Sequence, residues 1–182
     1  DIHIGESISF CAVCDGAFYQ GKTVALIGGG NSALQEAILL SEGCEKVIVV
    51  QNLDYLTGEP ALQEIIAKRD NVEVLLGTVV AALPATAPLD RVTLRRVADD
   101  TTYELAVDGL FVAIGLEPEN APFESVVALN QWGYVDAGED CLTRTPGVFV
   151  AGDCRSKTVR QVTTATGDGA VAAVAACQYI DS

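Results

Sequence analysis

The sequence predicts an α/β fold, Rossmann-like and three-layered, with an antiparallel hairpin inserted beside a parallel sheet. Three observations carry this prediction. Residues 23–27 and 46–50 are short β-branched apolar runs of the fully buried kind, and a glycine-rich turn leading into good helix formers lies between them. Residues 91–97 and 102–107 flank Ala98-Asp99-Asp100-Thr101 and read as a hairpin. Residues 110–114 form one more apolar strand, ending at Gly115.

Taken in order, residues 1–10 read as a linker, with Gly5, Glu6 and Ser7 leading into Ile8-Ser9-Phe10, and His3 reads as a solvated side chain. Cys11-Ala12-Val13-Cys14-Asp15-Gly16 follows. Two cysteines separated by two residues can close a small disulfide, and such pairs supply a thiolate near neutral pH. A carboxyl group such as Asp15 beside the pair is placed to give a proton to a leaving thiolate. The alternative, half of a zinc site, lacks a second ligand pair. Cys44, Cys141, Cys154 and Cys177 stand singly and His3 is the only histidine, so no metal ligand set is assigned. Single cysteines in apolar segments, such as Cys177, are expected to behave as small buried hydrophobes.

Gly28-Gly29-Gly30-Asn31-Ser32-Ala33 fits G-x-G-x-x-A, with a strand before it, a helix over residues 33–40 ending near Gly43, and a second strand after it. In such a βαβ unit Gly28 permits the tight turn, Gly30 lets a pyrophosphate approach the backbone, and Ala33 allows close helix packing. Asn31 and Ser32 open the helix on which the anion rests. Dinucleotide binding is the expectation, and a purely structural turn the alternative. The second strand ends in Gln51 and Asn52, neither the acid that bonds the ribose hydroxyls of NADH nor the arginine that pairs with the 2′-phosphate of NADPH. NADH and NADPH both stay open.

A helix over 59–68, a strand over 72–76 and a loop over 84–88 precede the hairpin, and Gly115 offers a backbone without Cβ to a nucleotide. Pro118, Glu119, Asn120 and Pro122 mark a boundary, so that residues 11–116 form one domain and 117–182 another segment. In the tail a strand over 148–151 runs into Gly152-Asp153, then Arg160-Gln161 and a small-residue helix over about 167–179. An acid at a strand end can bond a ribityl or ribose hydroxyl; an ordinary strand, turn and helix is the alternative.

The net charge of -14 and pI near 4.2 leave no basic stripe for phosphates, which argues against nucleic acid. Apolar runs are too short to span a membrane and no secretory pattern opens the chain, so a cytoplasmic setting is the default.

In their order and spacing, the Cys11–Gly16 motif, the Gly28–Ala33 turn, Gly-Leu-Phe-Val-Ala-Ile-Gly at 109–115, and Gly-Val-Phe-Val-Ala-Gly-Asp-Cys at 147–154 with Arg160-Gln161 and Thr-Ala-Thr-Gly-Asp-Gly-Ala at 164–170 resemble the low-molecular-weight thioredoxin reductases. The resemblance covers nearly the whole chain. It implies FAD as cofactor, a redox disulfide between Cys11 and Cys14 with Cys14 nearer the flavin and Cys11 attacking the substrate, and Asp15 as acid. It further implies flavin contacts around Gly152, Asp153, Arg160 and Gln161, residues 117–182 as the C-terminal half of an FAD-binding domain, thioredoxin or a similar protein as partner, and a homodimer. The family's first FAD segment is expected before residue 1, so the chain alone is expected to be an incomplete enzyme. The arginines by which the family recognises NADPH are replaced by the 51–60 stretch. A ferredoxin or other protein donor is therefore one alternative, and a non-catalytic nucleotide-binding fragment is another.

Overall fold

In the computed structural model, which describes residues 2–182, the chain divides between Gly115 and Leu116 into two compact units. The first is built on a five-stranded parallel sheet. β2 (Thr23–Ile27) and β3 (Lys46–Val50) are central, β4 (Val72–Leu75) lies at one edge, and β8 (Gly109–Val112) and β1 (Ile8–Ser9) complete the order β1-β8-β2-β3-β4. Strand side chains alternate between faces, so each apolar strand feeds two cores. Val24, Leu26, Val47 and Val49 pack on α2 (Asn31–Ser41) and α1 (Ala12–Asp15), together with Ala33, Leu34, Ala37 and Leu40. Ala25, Ile48 and Val50 face the other way, onto Val92 and Leu94 of a second sheet. A fully buried leucine or valine of this kind contributes about 1.5–3 kcal/mol.

That second sheet, β5-β6-β7 (Thr78–Ala82, Arg91–Arg96, Thr102–Ala106), is antiparallel. The hairpin expected over 91–107 is therefore two thirds of a larger layer, because the mixed run 78–82 pairs with β6 through a register shift near Val80. α3 (Pro60–Ala67) starts with proline in its first turn, where the missing N–H is not needed, and buries Ile66.

Residues 2–10 are not a linker in this fold. Ile8 and Ser9 join the sheet edge beside Leu110 and Phe111, and His3 is 2% exposed with its Nε2 2.8 Å from the Pro84 carbonyl, so it is not solvated. These contacts are long-range, His3 lying 81 residues before Pro84, and local composition does not carry them.

The second unit has little regular structure before α4 (Val162–Asp181). The strand expected over 148–151 reduces to a single bridge between Leu142 and Phe149. α4 begins five residues earlier than the small-residue pattern suggests, because Gln161 and Thr164 cap it reciprocally. Its apolar cluster is small: Val127, Val135 and Val150, flanked by Leu129 and Val148. At its centre lies a charge cluster. Asp168, in α4, accepts from Arg155 Nη2 at 3.0 Å, Arg155 Nε at 3.1 Å, Lys157 Nζ at 2.8 Å and the Gly152 N–H at 3.0 Å. Hydrogen bonds from Arg155 and Lys157 hold the Asp168 carboxyl well below the usual carboxylate range, and Asp168 holds Arg155 protonated.

Candidate functional site

Cys11 and Cys14 are joined as a disulfide in the short helix α1. Cys11 is the N-cap, and its sulfur accepts the Cys14 N–H at 3.1 Å. Cys14 is exposed and Cys11 half-buried. Beneath them runs a hydrogen-bond chain that local sequence does not reveal: the Cys11 N–H donates to Ser9 Oγ at 3.1 Å, and Ser9 Oγ–H donates to Asp15 Oδ2 at 2.7 Å. Buried Ser9 belongs to β1, so reading residues 1–10 as a linker hides the residue that orients Asp15. Around the pair the surface is apolar and open, with Phe10 54%, Val13 74% and Phe18 73% exposed. Of the other cysteines, Cys44 and Cys141 are buried, Cys154 is half-buried and Cys177 is exposed. Cys177 is thus not the buried hydrophobe its apolar neighbourhood suggests: α4 turns it to the surface.

The glycine-rich turn forms a second site. A cavity of about 610 Å³ is lined by Gly28, Gly29, Gly30 and Ser32 on one side and by Gln51, Asn52, Thr57, Thr78 and Gly115 on others. Gly28 has φ +133°, and a Cβ there would collide with the Ala113 carbonyl oxygen. Of the six residues expected here, Gly28, Gly30, Ser32 and Gly115 line the cavity. Ala33 is buried beneath it, 3.1 Å from the place of a Gly28 Cβ. Asn31 does not line it: its amide donates to Glu59 Oε1 at 2.9 Å and accepts the Glu59 N–H at 2.7 Å, joining the starts of α2 and α3. Gln51 is 5% exposed and its Nε2 donates to the Tyr55 carbonyl at 3.2 Å, so that amide is committed to the loop. Among the described residues no charged side chain lines the cavity.

At the start of α4, Gly152 (φ +84°) and Asp153 stand beside Arg160 and Gln161. Arg160 Nε donates to the Asp153 carbonyl at 3.3 Å, and its guanidinium lies 3.9 Å from the Tyr134 ring centroid. Asp153 is exposed, and Gln161 is the N-cap. The structure thus gathers these four residues at one end of the helix.

Comparison with known proteins gives one family. The model of the pyridine nucleotide-disulphide oxidoreductases matches residues 3–169. The chain belongs to this family. It is 36% identical to the thioredoxin reductase of Bacillus subtilis over 178 residues, 97% of this chain and 56% of the relative. It is 39% identical to a 34.2 kDa protein in the rubredoxin operon of Clostridium pasteurianum, over 97% of this chain and 57% of the relative. Its fold matches the crystal structure of thioredoxin reductase from Streptococcus pyogenes with a TM-score of 0.88 at 32% identity, covering 96% of this chain and 57% of that one. The chain spans a little over half the length of the curated relatives it matches.

The nucleotide in the family's name fits the glycine cavity by one physical test. Side chains at Gly28 and Gly29 would collide with Ala113 and Gln51, whereas Gly30 has nothing nearer than Thr57 Oγ1 at 3.6 Å. Gly30 is therefore bare where the backbone faces open space, the arrangement a phosphate requires at a helix start without a side-chain cap.

Proposed function

We propose that this chain carries the redox centre of a flavin-dependent disulfide reductase, in which electrons from a reduced donor pass through FAD to the Cys11–Cys14 disulfide and on to thioredoxin or a similar protein disulfide. The observation that carries this reading is the Cys11–Cys14 disulfide at an exposed apolar surface, with Asp15 oriented by Ser9 beside it. After reduction, the Cys14 N–H favours a thiolate on Cys11. That thiolate attacks one sulfur of the substrate disulfide, forming a mixed disulfide and releasing the other sulfur. Cys14 then displaces the substrate, the Cys11–Cys14 bond re-forms, and Asp15 is the group placed to protonate a leaving thiolate. Phe10, Val13 and Phe18 offer the protein substrate an apolar seat.

The flavin, when bound, supplies the electron pair to the disulfide. Asp153 suits a flavin contact by its exposed carboxylate, which makes no hydrogen bond or ion pair among the described residues, and Gly152 by a positive φ that favours a residue without Cβ. With Arg160 and Gln161 they are the residues that would hold it. By the resemblance, the whole protein is a cytoplasmic homodimer, which sedimentation of the full-length protein checks.

The nucleotide cavity offers no selection for NADPH over NADH, because among the described residues no cation lines it for a 2′-phosphate and Gln51 is committed elsewhere. The same neutrality favours a second reading, in which a ferredoxin or other protein donor replaces the nucleotide; one relative's rubredoxin operon agrees with it. Steady-state turnover of the full-length protein with NADH, NADPH and reduced ferredoxin decides between them. An NADPH preference above about a hundredfold, roughly 2.7 kcal/mol, overturns the cavity reading. The disulfide role is tested by trapping: C14S holds oxidised thioredoxin as a mixed disulfide through Cys11. Trapping through exposed Cys177 instead removes the proposal.

A further inference from the structure

Glu36 is half-buried on the face of α2 that packs on the disulfide helix, and the reaction above does not use its carboxyl. Ala33, Ala37 and Leu40 of α2 share a buried cluster with Ala12 of α1, and Leu40 Cδ2 would lie 3.2 Å from a Cβ at Gly16. Glu36 stands three residues after Ala33 and four before Leu40, on that same helix face. Its Oε2 is buried with no hydrogen-bond partner, unlike every other buried carboxylate oxygen among the described residues. Burial pushes its pKa up, and the nearby Ala12 backbone N–H opposes that effect. The first turn of α1 also carries the Cys14 N–H that Cys11 Sγ accepts.

We propose that Glu36 is a positioning residue for the redox pair, its carboxyl and the Cys11 thiol titrating as one coupled system because the face of α2 that carries Glu36 packs on the short helix that carries the pair. This rests on the reading of Cys11–Cys14 as the redox centre. Two electrons, from the flavin or from a dithiol, open the S–S bond; one proton goes to the Cys14 thiol. A second goes to Glu36 as Cys11 becomes the thiolate, so that two negative charges do not face one turn. The neighbouring titratable groups are otherwise engaged or exposed. Asp15 is bonded to Ser9, Tyr19 lies under Lys22, Glu59 is bonded to Asn31, Glu42 lies 3.7 Å from Arg69 Nη2, and Glu64 is exposed.

The test reduces the 182-residue chain with dithiothreitol, removes the reductant, and follows iodoacetamide alkylation of each cysteine by mass spectrometry from pH 4.5 to 9. In the wild-type chain the Cys11 profile has two steps. In E36Q it has one step, displaced to lower pH. At pH 6 the variant reacts about threefold faster, since a roughly tenfold gain in thiolate is partly offset by lower nucleophilicity. If E36Q does not fold, E36M, which fills the same apolar site without a carboxyl, is read in the same way. Superimposable profiles for wild type and a folded variant overturn the inference while leaving the redox centre in place. Failure of dithiothreitol to open the Cys11–Cys14 bond overturns both.

Discussion

The turn at Gly28–Gly30 opens onto a cavity, whereas the turn at Gly152 is closed over a carboxylate of its own unit. Each leads toward a helix, but α2 starts with no side-chain cap, while α4 starts with the Gln161–Thr164 box, and the Gly152 N–H is taken by Asp168. Backbone donors that the protein leaves unclaimed are available to an anion; those it claims are not. A ligand at the second turn must therefore be held by side chains such as Asp153. The interiors differ in the same sense. Two large apolar clusters hold the first unit, and a small valine cluster with the Arg155–Asp168–Lys157 knot holds the second.

The largest way to break this contrast is Asp168→Ala. It leaves Arg155, 2% exposed, without its main counter-charge, and is expected to destabilise the second unit by about 3–5 kcal/mol. Trp132, the chain's single tryptophan, lies in that unit and reports the loss by fluorescence in urea. A change below about 1 kcal/mol would mean that the valine cluster suffices. Leu34→Ala is the matching test of the first unit: Leu34 is fully buried, and about 2–5 kcal/mol should be lost in amide-exchange protection of β2 and β3.

Acid should separate the units next. Asp168 has a folded-state pKa below its unfolded value of about 3.9, so its contribution is complete above that pH and is lost as pH falls toward the folded value. The urea midpoint reported by Trp132 is expected to decline below about pH 4 in the wild-type chain, and the decline should be much weaker in Asp168→Asn. Equal declines would assign the acid sensitivity elsewhere.

Two glycine substitutions then sharpen what the open turn is for. Gly28→Ala sets a Cβ against the Ala113 carbonyl at φ +133° and should cost about 1–3 kcal/mol of stability. Gly30→Ala meets nothing nearer than 3.6 Å and should leave the melting curve in place while weakening NADH binding about tenfold, as read by calorimetry on the full-length protein. Unchanged binding would make the turn structural. The smallest effect belongs to the closed helix start, where Thr164→Ala removes half of the capping box and should cost about 1 kcal/mol in the Trp132 transition.

What the sequence by itself determined was local. The β2–α2–β3 unit, the bare glycines at 28 and 30, Ala33 beneath the turn, and the cysteine pair are all legible, because each depends on residue types a few positions apart. Tertiary structure decided the rest. It placed Ser9 under Asp15 by adding an edge strand beside β8, and it turned Asn31 to Glu59, so that an expected ligand contact became scaffold, and Gln51 to Tyr55. It brought Arg155 and Lys157 onto Asp168, and left Glu36 Oε2 buried without a hydrogen-bond partner. A polar side chain has several partners within reach of its local pattern. Which one it takes is fixed only when the packing of distant elements removes water from the others.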